Sequence, residues 1–336
     1  IIMNVAIIGA SGYTGLELIK ILINHPKFNI SYIANSTGNE NVQELHPCLK
    51  DVIDVEVEKA DAKEVAKVAD LAFLALPHKT AMFFAKELLE LGVKVVDLSA
   101  DYRLELETYE KHYCPHEDKD HIKDSVYGLP EYYGEELKNA KLVANPGCYP
   151  TASLLALLPF IDYIQDDSQI FIDAKSGVSG AGKKLSEVTH FVSLNENHHA
   201  YNPFKHRHMP EIEEKIKKVK NKEFQINFVP HLLPVTRGML VSVYATLKDE
   251  IDVGTILKDA YKDNEFIRIR EKAVDIKSTA GTNFCDIFVA RNGKALFINS
   301  SIDNLLRGAS SQAVVNANIM CGYDEGEGIP KIAYVP

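Results

Sequence analysis

The first half of the chain alternates short apolar runs with stretches of helical period. Residues 5–8 (Val-Ala-Ile-Ile) are continuously apolar and read as a strand buried on both faces. Gly9-Ala-Ser-Gly-Tyr-Thr-Gly15 follows, then an amphipathic helix to about residue 23. Further apolar strands are predicted over 30–34, 71–76 and 93–98, with helices over 62–68 and 80–91 between them. Strands without polar alternation, separated by helices, imply a doubly wound parallel sheet of the Rossmann type.

The rhythm changes near residue 148. A strand over 142–144 runs into a Pro-Gly turn and an apolar helix over 151–161. Strands over 169–175, 224–230 and 240–247 come without regular helices, and 287–290 and 296–300 flank Arg291-Asn-Gly-Lys294, an Asn-Gly hairpin signal. This half predicts an α+β domain with a mixed or antiparallel sheet. A last helical pattern over 304–320 is expected to return to the first domain. The division is therefore 1–147 with about 304–336 as a dinucleotide-binding domain, and 148–303 as a catalytic, substrate and oligomerisation domain.

Composition narrows the class. Apolar content of 46% and charged content of 25% over 336 residues are those of a water-soluble globular chain with room for two domains. No run approaches the roughly 18 apolar residues of a membrane span. Residues 5–8 begin a strand with no basic segment ahead of them, and the five scattered cysteines form no C-x-x-C. A cytoplasmic protein is expected, with no membrane and no nucleic acid as partner, since the net charge is −10. An anionic ligand then needs a local cluster of cations.

Cys148, in Asn145-Pro-Gly-Cys-Tyr-Pro-Thr151, stands where the apolar helix begins. N–H groups at a helix start favour thiolate, so this cysteine is the candidate nucleophile. Gly9, Gly12 and Gly15 lie between strand and helix, where a pyrophosphate binds. At the end of the second strand, Asn35-Ser-Thr-Gly38 is small and neutral, which favours NADP over NAD. Pro77 and His78 end another strand; His78 is a cofactor contact or a surface hydrogen-bonding residue. Arg103 can fork onto a phosphate or carboxylate, or pair with Asp101 or Glu105. His206-Arg-His-Met-Pro-Glu211 offers alternate histidines, which point the same way if the segment is extended. An acid/base role with Glu211 orienting the ring fits better than a metal shared with His198 and His199, so no metal is expected. His231 and Arg237 flank a further strand edge.

Taken together, the motifs at 9–15, 74–78, 96–104, 127–131, 145–151, 175–182, 206–212, 231–238 and 303–310 closely resemble the N-acetyl-γ-glutamyl-phosphate reductase family, relatives of aspartate-semialdehyde dehydrogenase. The resemblance implies NADPH-dependent reduction of an acyl phosphate to a semialdehyde in arginine biosynthesis, through a thioester on Cys148. It implies His208, with His206 and Glu211, for acid/base work, His208 being preferred. Arg103, Arg237, Asn145 and Ser176 are the substrate contacts it suggests. Gly9, Ser11, Gly12, Tyr13, Thr14, Gly15, Ser36, Pro77, Ser99, Gly177 and Asn304 are the cofactor contacts. A small-molecule acyl-phosphate substrate and a homodimer or homotetramer follow. Arg307 and Ser310-Ser311 depart mildly from the family pattern, which leaves aspartyl or aminoadipyl phosphate open as substrates. A non-catalytic NADP-binding sensor is the reading from another class.

Overall fold

The computed structural model describes residues 2–335; Ile1 and Pro336, the outer limits of the expected domains, lie outside the described residues. The chain divides into two compact units, Ile1–Gly147 with Ala309–Pro330, and Cys148–Gly308 with Lys331–Pro336. The return to the first unit comes at Ala309 rather than near 304, because side chains of the second unit hold residues 303–308.

In the first unit, β1 (Met3–Ile8), β2 (Phe28–Asn35), β3 (Glu40–Asn41), β4 (Glu56–Lys59), β5 (Leu71–Leu74), β6 (Lys94–Asp97), β7 (Ser125–Tyr127) and β8 (Leu142–Ala144) form one sheet. Its order is β3-β4-β2-β1-β5-β6-β8-β7, parallel except for β3 against β4. Strand order reverses at β1, so the carboxyl ends of β1 and β5 flank the switch point where ligands bind such sheets. Val5–Ile8 and Leu71–Leu74 are wholly buried, as continuous apolar runs require. The sequence pattern missed β3, β4 and β7, which are short and mostly polar or isolated.

The helix Ser310–Met320 is buried almost all round. Its inward polar groups are satisfied: Asn316 Nδ2 donates to the Gly128 carbonyl and to Asn145 Oδ1, both at 3.0 Å. It starts six residues later than the pattern over 304–320 suggested. Asp303 Oδ1 accepts from the N–H groups of Leu305 (2.9 Å) and Leu306 (3.0 Å) and fixes a turn there instead.

The second unit carries β9 (Ile170–Gly177), β10 (His199–Ala200), β11 (Ile226–Leu233), β12 (Met239–Thr246), β13 (Ile267–Ile269), β14 (Cys285–Asn292) and β15 (Ala295–Ile302) in the order β10-β11-β9-β12-β15-β14-β13. It is mixed, with β9 and β11 parallel and β9, β12, β15 and β14 successively antiparallel. The helix Cys148–Leu157 packs across β12 and β15, over Val241, Val243 and Ile298. The expected single helix to 161 becomes a 3-10 segment from Leu158 to Tyr163, with Pro159 near its start. Helices Met209–Lys220 and Val253–Tyr261 interrupt strands that were read as following without helices. The hairpin turns at Gly293-Lys294: Asn292 still pairs with Ala295, and Gly293 alone takes φ +56°.

At the end of β1, Gly9 has φ +99°, and a Cβ there would lie 2.2 Å from the Ala75 carbonyl oxygen. Gly9→Ala is therefore expected to lower the thermal midpoint by several degrees, at a cost of about 2–4 kcal/mol. A melting curve indistinguishable from that of the parent chain would contradict this account of the loop.

Candidate active site

The glycine loop of the first unit is shaped to receive a dinucleotide. A Cβ on Gly15 would fall 2.4 Å from the Gly9 carbonyl oxygen, so this glycine lets the helix Tyr13–Leu22 press on the loop. Gly12 differs: a Cβ there meets nothing nearer than 3.9 Å, leaving bare backbone toward an incoming ligand. No side chain caps the helix at Gly12, and its positive end faces the loop. His46 pins the loop from behind, with Nε2 at 2.7 Å from the Ala10 carbonyl. Tyr13 and Ser36 are exposed and able to meet a ligand. Thr14 accepts at its carbonyl from Ser310 Oγ (2.9 Å).

At the ends of β5 and β6 the expected contacts are more structural. Ser99 is buried, donating to Asp97 Oδ2 (2.7 Å) and accepting from the Asp101 N–H (3.0 Å). That use of its hydroxyl argues against the cofactor role expected of it. Asp101 accepts from the N–H groups of Lys79 and Met82 and from Tyr109 Oη, which fixes the turn after Pro77. His78 Nδ1 accepts from the Ala100 N–H at 2.8 Å. Arg103 is 5% exposed; Nε donates to the Asn145 carbonyl (2.8 Å) and Nη2 to the Leu98 carbonyl (2.7 Å). It positions two strand ends. Asn145 is fully buried, donating to the Ala309 carbonyl and accepting from Asn316, so its amide serves the fold rather than a substrate. Burial, then the neighbouring Asp101, pushes the Asp97 carboxyl up to about 7.

In the second unit, Cys148 is half-buried and is the first residue of its helix. Tyr149 beside it is 2% exposed and organises the site. Its hydroxyl lies 3.1 Å from that of Tyr201 and donates to the His231 carbonyl at 3.2 Å. Its ring packs edge-on against His206 (5.5 Å), His208 (5.9 Å) and Phe228 (5.3 Å). Tyr201 is pushed up to about 12, first by burial, with the charge of Cys148 also contributing. The two tyrosines thus link the thiol to the histidine pair. Among the expected site residues neither had a role assigned. Tyr149's adjacency to the cysteine was the available signal, and Tyr201 had none.

His206 and His208 do not alternate along an extended segment. They lie on a turn that enters the helix Met209–Lys220, with His208 at its N-cap. Their rings nevertheless stand 4.8 Å apart. His206 Nδ1 accepts from the His208 N–H (3.1 Å), which fixes its tautomer with the proton on Nε2. Burial, aided by Arg207, lowers His206 to about 4, so it is neutral at pH 7. Glu211 is buried in the first turn of the same helix. His199 sits in β10, and the His198 ring lies 5.2 Å from that of His231. Among the described residues no three His, Cys, Asp or Glu side chains are grouped to hold a metal.

Asn304, expected near the cofactor, is buried with its amide engaged: Nδ2 donates to Ser179 Oγ (2.9 Å) and Oδ1 accepts from the Gly238 N–H (2.8 Å). Gly308 abuts the thiol, since a Cβ there would lie 2.7 Å from Cys148 Cβ. Ser176 is buried and neighbours Tyr149, and a Cβ on Gly177 would meet the Thr236 carbonyl at 2.8 Å. Arg237 pairs with buried Asp303, Nη2 at 3.2 Å and Nε at 3.1 Å from its oxygens.

A glycine-loop parallel unit followed by a mixed-sheet unit that opens on a cysteine defines the semialdehyde dehydrogenase class. The models for the semialdehyde dehydrogenase NAD binding domain and dimerisation domain match residues 4–140 and 148–304. Aspartate semialdehyde dehydrogenase II from Vibrio cholerae shares the fold at TM-score 0.73 and 18% identity, over 96% of this chain and 99% of that one. The chain is 65% identical to N-acetyl-gamma-glutamyl-phosphate reductase of Sulfurovum sp. over 99% of its length and 100% of that protein's. It is 58% identical to the Wolinella succinogenes protein of that name, over 99% and 98% of the two chains. The chain belongs to the N-acetyl-γ-glutamyl-phosphate reductase family.

His206 gives a signed pH dependence. Its folded value of about 4 lies below the ordinary 6.5, so between these the unfolded chain takes up a proton that the folded one refuses. Its contribution to stability is present above pH 6.5 and is lost as pH falls toward 4. His206→Gln should reduce the loss of stability between pH 7 and 4.5 by about 2–3 kcal/mol. Urea midpoints at the two pH values check this; equal losses in both proteins would show that His206 is protonated normally.

Proposed function

We propose that this chain reduces N-acetyl-γ-glutamyl phosphate to the γ-semialdehyde and phosphate, with NADP(H) as the dinucleotide, in arginine biosynthesis. The observation that carries the reading is Cys148 at a helix start, with a histidine pair packed on the adjoining Tyr149, in a chain 65% identical end to end to a reductase of that name. That identity also favours the N-acetylglutamyl chain over aspartyl or aminoadipyl phosphates.

The Cys148 thiolate, favoured by the helix start, attacks the γ-carbonyl carbon. The carbon–oxygen bond to phosphate breaks, phosphate leaves, and a thioester on Cys148 remains. NADP(H) held on the glycine loop would supply the hydride for reduction of this thioester carbonyl carbon. His208 donates a proton to the oxygen, giving a thiohemiacetal, and takes it back as the carbon–sulfur bond breaks and the aldehyde departs. His206, neutral at pH 7, is the less suited of the two to carry that proton. Gly9, Gly12 and Gly15 would cradle the pyrophosphate, and Arg103 would set the strand ends beside it.

The reading includes a homo-oligomer, a homodimer or a tetramer built from dimers, through the second unit's sheet. The open face of that sheet exposes Phe171 and Tyr244, the latter 5.4 Å from the Phe297 ring. An exposed apolar sheet face of this kind suits self-association. The five cysteines are all free, which supports a reducing cytoplasm as its place of action. No helix among the described residues is long and apolar enough to cross a membrane.

Cys148→Ser should lower turnover at least ~1000-fold while changing dinucleotide affinity less than about twofold. In the parent chain, iodoacetamide alkylation of Cys148 should follow a pH midpoint below the ~8.5 of a free thiol. Turnover surviving the substitution rules out the covalent route. A midpoint near 8.5 together with no turnover favours a dinucleotide-binding sensor. Phosphate-dependent oxidation of N-acetylglutamate, aspartate and aminoadipate semialdehydes compares the acyl chains directly.

A further inference from the structure

After Pro330 the chain leaves the first unit, and residues 331–335 belong to the second. Ile332 and Tyr334 stay largely exposed, so apolar burial does not account for the course of this tail. Its hold is local and mostly polar. Lys331 pairs with Glu265, and its Nζ stands 5.7 Å over the buried Phe266 ring. Further on, the Tyr334 N–H donates to the Ala280 carbonyl at 3.2 Å. The Tyr334 ring covers Gly281, where a Cβ would lie 2.8 Å from Tyr334 Cδ1. None of these residues enters the chemistry at Cys148.

What the tail covers leads inward to Arg237. Gly281 has φ +88° and no side chain of its own to fix it, so its peptide depends on its neighbours. The start of the same loop is tied to β15, where Asn299 Oδ1 accepts from the Val274 N–H (3.0 Å) and Ser301 Oγ donates to the Asp275 carbonyl (2.8 Å). Its far end meets the tail on one side and Asp303 on the other. The Gly281 N–H donates to Asp303 Oδ2 at 2.7 Å. Arg237 Nε stands 3.1 Å from that same oxygen, and Arg237 Nη2 donates to Asp303 Oδ1 at 3.2 Å. Asp303 is fully buried, whereas 13% of the Arg237 side chain remains open to a ligand.

We infer that Tyr334 is a positioning residue for the substrate: the docked tail holds Gly281 against Asp303, and so sets the Arg237 guanidinium to receive the α-carboxylate of the N-acetylglutamyl chain. A guanidinium fork donates to both oxygens of a carboxylate only when its plane is fixed, so a shift of Asp303 Oδ2 is felt at the ligand. The inference rests on the reductase reading above and on Arg237 as the substrate contact that the resemblance suggests.

Phosphate-dependent oxidation of N-acetylglutamate semialdehyde separates the contributions, because semialdehyde, phosphate and NADP each have their own KM. Tyr334→Ala, at an exposed position, should raise the KM for the semialdehyde about tenfold, with kcat within about threefold and the KM values for phosphate and NADP unchanged. Tyr334→Phe keeps the ring over Gly281 and should restore the parent value. A chain ending at Pro330 should show at least the effect of Tyr334→Ala. Arg237→Gln alone should raise the same KM, and adding Tyr334→Ala to it should change that value less than about twofold, since the two act in series. Full additivity in the double variant overturns the inference. So does an unchanged KM in Tyr334→Ala, or a rise in the KM for phosphate in place of that for the semialdehyde. If Arg237→Gln leaves the semialdehyde KM unchanged, the inference falls with the carboxylate contact. A parent chain that does not oxidise the semialdehyde at all fails the reductase reading itself.

Discussion

The placement of the thiol depends on one close approach, between Gly308 and the Cβ of Cys148. Any side chain at 308 would overlap both that carbon and the Asn304 carbonyl, 2.5 Å away. The turn that makes this approach is held by two neighbouring residues with buried polar side chains. Asp303 accepts from the N–H groups of Leu305, Leu306 and Gly281, and Asn304 ties the Gly238 N–H to Ser179 Oγ. These two residues therefore bind three separated loops, at Ser179, Gly238 and Gly281, to the turn that abuts the start of the Cys148 helix. Buried polar groups are costly unless satisfied, so a network this fully used specifies one arrangement of those loops. It also explains why the chain turns at 303–309 before entering its last helix.

Much of this was legible because it depended on local pattern. The runs at Val5–Ile8 and Leu71–Leu74 are apolar throughout, so their burial between helices follows from residue type alone. Cys148 was legible for a similar reason: a Pro-Gly turn ahead of an apolar run marks a helix start. What could not be read were partners set by non-local folding. Arg103 and Asn145 look like ligand contacts in a motif, yet each closes its hydrogen bonds on backbone or amide groups distant in sequence.

The two rings of the histidine pair share one aromatic neighbour but differ in their surroundings. Both rings lie against Tyr149, so neither is nearer in sequence logic to the thiol. Yet His206 spends Nδ1 on the His208 N–H and is too buried to hold a proton at neutrality. A residue in that state cannot return protons to an alkoxide at pH 7, but it can fix the backbone from which its neighbour projects. Tyr149 and Tyr201 have the same character. Their raised hydroxyls stay protonated, so near Cys148 they offer hydrogen bonds and not negative charge, which would oppose the thiolate.

The cations pose the last question, because a chain of net charge −10 must bind a doubly anionic acyl phosphate. The two candidate arginines differ in what orients them. Arg237 faces Asp303, whose oxygens are also fixed by three backbone N–H groups and so do not swing away. Arg103 donates from Nε and Nη2 to the Asn145 and Leu98 carbonyl oxygens, which orient the guanidinium. Asp97 close by is pushed up to about 7, so part of its opposing charge is absent near neutrality. Arg103 is thus fixed by carbonyl oxygens of its own unit, whereas Arg237 is fixed by a carboxylate.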